Sequence, residues 1–129
     1  MAIISIIDIL DEDLNPLTKD EDLENVTQWY MAFCREQNVP TEDIKLDPLP
    51  YECKRAAVFW VCVEVSRRNI GKNITTSASG AQTDWYKEKM KVYRTEFIES
   101  LRACTSRIIR GVVSSLDDNS EMVTTYERS

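Results

Sequence analysis

Residues 84–110 read DWYKEKMKVYRTEFIESLRACTSRIIR, and this stretch decides the fold. Tyr86, Met90, Tyr93, Phe97, Leu101, Cys104 and Ile108 recur at steps of four and three, which places them on one side of a helix. The spacing predicts one continuous helix over Asp84–Arg110, about 40 Å long at 1.5 Å per residue, with Gly111 as its stop. Its apolar repeat averages about 3.7 residues, so a left-handed coiled coil, which needs about 3.5, is disfavoured. No catalytic residue type lies on the apolar face, and the helix reads as a packing or assembly element. Lys87, Lys91, Arg94 and Arg102 fall within a sector of roughly 80° flanking that face. Such a stripe is either a solvated helix side or the basic half of a subunit contact.

Working back from this helix, Gly71–Thr83 reads as a loop of small polar residues, with either Ser79 and Gln82 or Asp84 capping the helix that follows. Before it, Ala56–Val63 is a run of eight apolar residues inside a longer segment. Glu52–Arg55 and Glu64–Arg68 extend that segment well past strand length, so it reads as a central helix buried on all sides, with Trp60 enclosed. Asp47 as N-cap and Pro48 as a first-turn proline suit its start, and Gly71 its end. Val39–Pro50 is then a linker with three prolines. Thr18 and Glu21 form a Thr-x-x-Glu capping box for an acidic helix that turns Leu23, Val26, Tyr30 and Phe33 inward and stops near Asn38, before Pro40. Ile3, Ile6, Ile7, Leu10 and Leu14 keep helical spacing, although their β-branched content leaves a short strand open.

The fold class that results is all-α: a small helical bundle over residues 1–111 with a long C-terminal helix, then an extended tail over 112–129. A chain of 129 residues with three glycines, all outside the periodic segments, is long enough to bury a core without metals or disulfides. Cys34, Cys53, Cys62 and Cys104 form no CxxC pair and read as free buried thiols. The chain has no histidine, which removes His-based triads, common zinc sites and the usual pH switch. Phosphate-binding glycine patterns are absent too. Asp11, Glu12 and Asp13 lack the ligand alternation of a calcium loop. The expectation is of no enzyme, no cofactor and no metal. Met1–Leu10 lacks the basic start and cleavage site of an export signal, and no apolar run reaches the roughly 20 residues of a membrane span. We expect a protein made in a reducing cytosol, with the sequons at Asn25 and Asn73 unused.

Charge is segregated. Residues 1–50 hold 12 acids and 3 bases, residues 51–110 hold 6 and 12, and residues 111–129 hold 4 and 1, giving −9, +6 and −3 within the net −6. Copies can therefore associate acidic surface against basic surface, or the regions can neutralise one another within one fold.

Two acidic N-terminal helices, an Ala-rich apolar helix, a small-residue loop around Thr75–Gly80 and a long helix opening Asp84-Trp85-Tyr86 with Lys89 and Tyr93 resemble the head-tail connector, or adaptor, proteins of long-tailed double-stranded DNA phages. The resemblance spans about residues 3–110. It implies a structural virion protein that forms a ring, typically of about twelve copies, beneath the portal. Such a ring joins capsid to tail, meets the tail terminator or other neck proteins, and lets DNA pass through its lumen without sequence-specific binding. The site would be the virion neck, and the host cytoplasm during assembly. On this resemblance Lys87, Lys91, Arg94 and Arg102 would face a neighbour in the ring. The tail, with Val112, Val113, Met122, Val123 and Tyr126, would bind the portal. Met122–Tyr126 has the β-branched and aromatic content suited to adding a strand to a sheet edge; a terminus without function is the other reading.

Two further functions stay open. One is a nucleic-acid-binding module using Arg67, Arg68, Lys72, Lys87, Lys89, Lys91, Arg94, Arg107 and Arg110, which the acidic third opposes. The other is a generic cytosolic scaffold.

Overall fold

The computed structural model describes residues 2–112. It is mostly helical, with a small two-stranded sheet. The helices are α1 (Asp20–Glu36), α2 (Tyr51–Arg68), α3 (Trp85–Arg102) and α4 (Ser106–Ile109), and strands β1 (Ile74–Thr76) and β2 (Gln82–Asp84) pair antiparallel between α2 and α3. The packing of α2 against α3 is the main contact between elements, and α1 crosses α2.

Helix α1 begins one residue later than the expected capping box. Asp22 accepts the backbone N–H of Lys19 at 2.8 Å and so takes the role assigned to Glu21, while the Lys19 carbonyl, not a side chain, accepts the Asp22 N–H at 2.9 Å. Leu23, Val26, Tyr30 and Cys34 are buried along it, Phe33 is half-buried, and Asn38 leaves the helix at φ 63°. The same Asp22 carboxylate takes Arg68 through both guanidinium nitrogens at 2.7 and 2.9 Å, tying the start of α1 to the end of α2.

Five expectations need correction. Residues 3–14 form no α-helix: a 3-10 turn at Ile6–Asp8 and extended chain take its place. Side chains compete successfully for the backbone here, Asp8 accepting from Ser5 N–H at 2.8 Å, Asp11 from Asp13 and Leu14 at 2.9 and 3.1 Å, and Asn15 donating to the carbonyls of Ile6 and Ile9. The buried residues become Ile4, Ile9 and Leu14, every fifth position, while Ile7 and Leu10 point outward.

Helix α2 starts at Tyr51, after Pro50, rather than at Pro48. A start at Pro48 would require α conformation at Leu49, directly before a proline, where it is sterically disfavoured. Nor is α2 enclosed on every side. Ala56, Ala57, Val61, Cys62, Val63 and Val65 are buried, but Val58, Phe59 and Trp60 are half-open.

The loop before α3 contains the β1–β2 hairpin, signalled by Ile74-Thr75-Thr76 and Thr83 flanking Gly80, which turns at φ 89°. Asp84 is the α3 cap, accepting the Lys87 N–H at 3.2 Å and the Gly71 N–H at 2.8 Å.

Finally, the expected 27-residue helix breaks after Arg102. On a straight helix Ile109 would face about 140° away from the Tyr86–Tyr93 side. The break re-aims it: Thr105 caps α4, Ile109 becomes fully buried with Tyr30, Cys34, Val39 and Ile44, and its carbonyl accepts the Lys45 N–H at 2.9 Å. With α3 shortened, Ser100 is its one fully enclosed residue, and Tyr86, Met90, Tyr93, Phe97 and Leu101 are half-buried.

Candidate interaction surfaces

Helix α3 carries Lys87, Lys91, Arg94 and Arg102 exposed on the side flanking its packed face. Ile98 lies among them and is 44% exposed, so the stripe has an apolar centre that the charge pattern alone did not reveal. Beside it Trp60, Val63, Phe97 and Ile98 line a groove of about 290 Å³ between α2 and α3, with Arg94 and the Arg67–Glu64 ion pair also lining it. Its aromatic walls are held from behind by Trp29 of α1, whose ring centroid is 6.0 Å from that of Trp60 and 5.4 Å from that of Phe97. Helical period brought Trp60 and Phe97 into view, but only as core; that Trp29 of α1 contacts both rings and leaves both half-exposed is a tertiary fact.

A second groove of about 400 Å³ lies on the other side of α2, between α3 and the N-terminal segment. Ile7, Leu10, Tyr51, Val58, Phe59 and Tyr93 supply most of its apolar lining. Arg55 lies over the Phe59 ring at 5.4 Å, and Lys54 pairs with Asp8 at 3.1 Å. On α2 the positions lining the two grooves point roughly 160° apart at about 100° per residue.

The N-terminal segment is anchored beneath this edge by Asp11. Lys89 donates to it at 2.7 Å, and the Tyr93 hydroxyl donates to the same oxygen. Burial pushes the Asp11 carboxyl up, yet the hydrogen bonds from Lys89 and Tyr93 outweigh it and hold the group below its ordinary value. Burial and Asp11 together push the Tyr93 phenol well up. Asp13 adds a 3.3 Å contact to Lys89 and accepts the Trp85 indole N–H at 3.2 Å. Asp11 and Asp13 are thus an internal clamp on α3, and Glu12 between them stays exposed.

Charge segregation is partly resolved within the fold. Asp8, Asp11, Asp13, Asp22 and Asp43 all pair with bases from Lys54 onward. Among the described residues Lys87, Arg94 and Arg102 make no ion pair, nor does Glu12, whereas Lys91 meets Glu88 at 3.3 Å. Arg67, Arg68, Lys89 and Arg110, four of the bases a nucleic-acid surface would use, are held by Glu64, Asp22, Asp11 and Asp43. Of the tail residues only Val112 is described, and it is exposed; Val113, Met122, Val123 and Tyr126 lie outside the described residues.

The four cysteines are free and buried. Burial raises Cys34 to about 11 and Cys62 to about 12, which keeps both as thiols and poor nucleophiles. Among the described residues no group of three His, Cys, Asp or Glu side chains is placed to hold a metal ion, and no helix is long and apolar enough to cross a membrane. The chain matches no protein-family model, no curated protein and no solved structure.

Proposed function

We propose that the chain is a head-tail connector subunit that forms a ring below a portal, joins capsid to tail and extends the DNA channel. The observation that carries this reading is the presence of two apolar grooves on opposite sides of α2, one lined by Arg94, which has no ion pair among the described residues, and the other edged by exposed aliphatic side chains. A subunit with two different sticky sides assembles head to tail, and such contacts close into rings when the rotation allows. The sequence resemblance to connector proteins supports the same reading through the acidic α1, the Ala-rich α2 and the Asp84-Trp85-Tyr86 start of α3, and the small helical domain fits a ring subunit. In this reading Lys87, Lys91, Arg94 and Arg102 belong to the contact between neighbours. Residues 112–129, including Val113, Met122, Val123 and Tyr126, engage the portal, and the lumen passes double-stranded DNA without reading its sequence.

The test is capture by a portal ring. Full-length chain should co-sediment with purified portal rings and appear in electron micrographs as an added ring on their tail-facing end. Truncation after Gly111 should keep the thermal stability and abolish capture. If the full chain is not retained by portal at physiological salt, the connector reading fails.

A further inference from the structure

We propose that one copy of this chain seats Ile7 and Leu10 in the Trp60–Ile98 groove of the next copy, a contact that repeats head to tail. Ile7 is 78% and Leu10 85% exposed, an unusual cost for aliphatic side chains on an ordered segment. The segment presents them rigidly, because Ile4, Ile9 and Leu14 are buried on its inner side and Asp11 is clamped by Lys89 and Tyr93. The groove across the molecule is apolar, walled by Trp60, Val63, Phe97 and Ile98, and large enough at about 290 Å³ to admit side chains.

Charge selects the partner. Beside Leu10 stand Glu12, which has no ion pair among the described residues, and Asp13, half-exposed at 52%. At the groove stands Arg94, which has no ion pair among the described residues; Glu64 and Arg67 also line it and neutralise each other at 2.7 Å. Apolar knobs with an acidic flank face an apolar hole edged by one uncompensated arginine, and both belong to this chain. Because knob and hole lie on opposite sides of α2, the contact is heterologous rather than two-fold. The inference deepens the connector reading by naming the contact between neighbours, and rests on that reading only for closure into a ring.

The test uses full-length chain across its soluble concentration range, with Leu10→Cys and Ile98→Cys introduced singly and together. Leu10, Glu12, Arg94 and Ile98 are on the surface, and the native thiols are buried. Under mild oxidation, a mixture of the two single variants should give a disulfide-linked dimer and the double variant a ladder of higher multimers, each several-fold above either single variant alone. Dimer formation by Leu10→Cys alone at the yield of the mixture would overturn the proposal. So would the absence of any ladder, the result expected if the groove takes residues 113–129 of its own chain or a portal segment instead. Charge gives a second readout: Glu12→Arg and Arg94→Glu should each weaken association several-fold in sedimentation, and the double reversal should restore it. Failure of the double reversal to recover counts against the pairing. Cross-linking without portal capture would keep this contact and remove the connector role; portal capture without cross-linking would do the reverse.

Discussion

The two sides of α2 are built from the same kinds of residue and end in different environments. Ala57, Val61 and Val65 are sealed by Leu23 and Val26 of α1 and by Ile4, Ile9 and Leu14 of the N-terminal segment. Val58, Phe59 and Trp60, in the same apolar run, stay half-open beside the two grooves. Continuous hydrophobicity shows that a helix avoids water, not that its own chain supplies the cover. The sector of α2 under Leu23, Val26 and Leu14 serves the fold, and the two sectors that line the grooves leave apolar surface for assembly.

The sealed side should be the most costly to disturb. Leu14→Ala removes a side chain with no exposed area from the cluster of Val26, Val61 and Val65, and should lower the unfolding free energy by about 3–4 kcal/mol. Denaturant melts read this directly; a loss below about 1 kcal/mol would mean that the N-terminal segment is a loose cover and that both sides of α2 are open.

Asp22 comes next because it joins two roles, accepting the Lys19 N–H at the start of α1 and both arms of Arg68 from α2. Asp22→Asn should cost about 2–3 kcal/mol at neutral pH, from a weakened cap and a lost charge-assisted pair. Burial pushes the Asp22 carboxyl up, but Arg68 and the Lys19 N–H hold it below 3.8, so its contribution is complete above the ordinary carboxylate range and disappears as pH falls through the folded value. The gap between native chain and Asp22→Asn should therefore narrow below about pH 4. A gap that stays constant down to acid pH would assign the loss to packing alone.

Trp60 sharpens the contrast. Enclosure on all sides would make Trp60→Ala cost about 3–5 kcal/mol, but with the ring half-open and stacked on Trp29 alone from α1 the expected loss is about 1–2 kcal/mol. The same variant should depress self-association much more than it depresses stability. Equal effects of Trp60→Ala and Leu14→Ala in the same melt would erase the distinction between the two sides.

How far the sequence reached follows from the range of each interaction. The presence of α1 and α2, their stops near Asn38 and before Gly71, and the buried thiols were legible because capping and 3.6-residue period act locally, whereas the α2 start was expected three residues early. The N-terminal segment was not, since Ile3, Ile6, Ile7, Leu10 and Leu14 mimic a helical face while Asp8, Asp11 and Asn15 side chains take the backbone hydrogen bonds elsewhere. The break after Arg102 was hidden for the opposite reason: Ala103–Ile109 is compatible with helix locally, and only the distant cluster around Tyr30 and Ile44 draws Ile109 inward. Of the candidate site, the basic stripe was legible from spacing. Its apolar centre at Ile98 and the groove against Trp60 were not, because they depend on how α1, α2 and α3 divide one pool of apolar side chains.

The smallest effect on stability should come from the stripe, and that makes it the cleanest separation of fold from assembly. Lys87 and Arg94 have no ion pair among the described residues, and the exposed Lys91–Glu88 contact at 3.3 Å is of the kind that contributes little. Changing Lys87, Lys91 and Arg94 together to glutamate should alter the unfolding free energy by no more than about 0.5 kcal/mol once the new Glu88 repulsion is included. Assembly should respond far more strongly, because six units of charge are reversed around Ile98 and like charges then face the acidic flank of a neighbour. The association that remains should rise with added salt, whereas that of the native chain should fall, since screening relieves repulsion in one and weakens attraction in the other. Neck assembly by the triple variant at the native level in physiological salt would remove the stripe from the subunit contact and leave the two sides of α2 distinguished by packing alone.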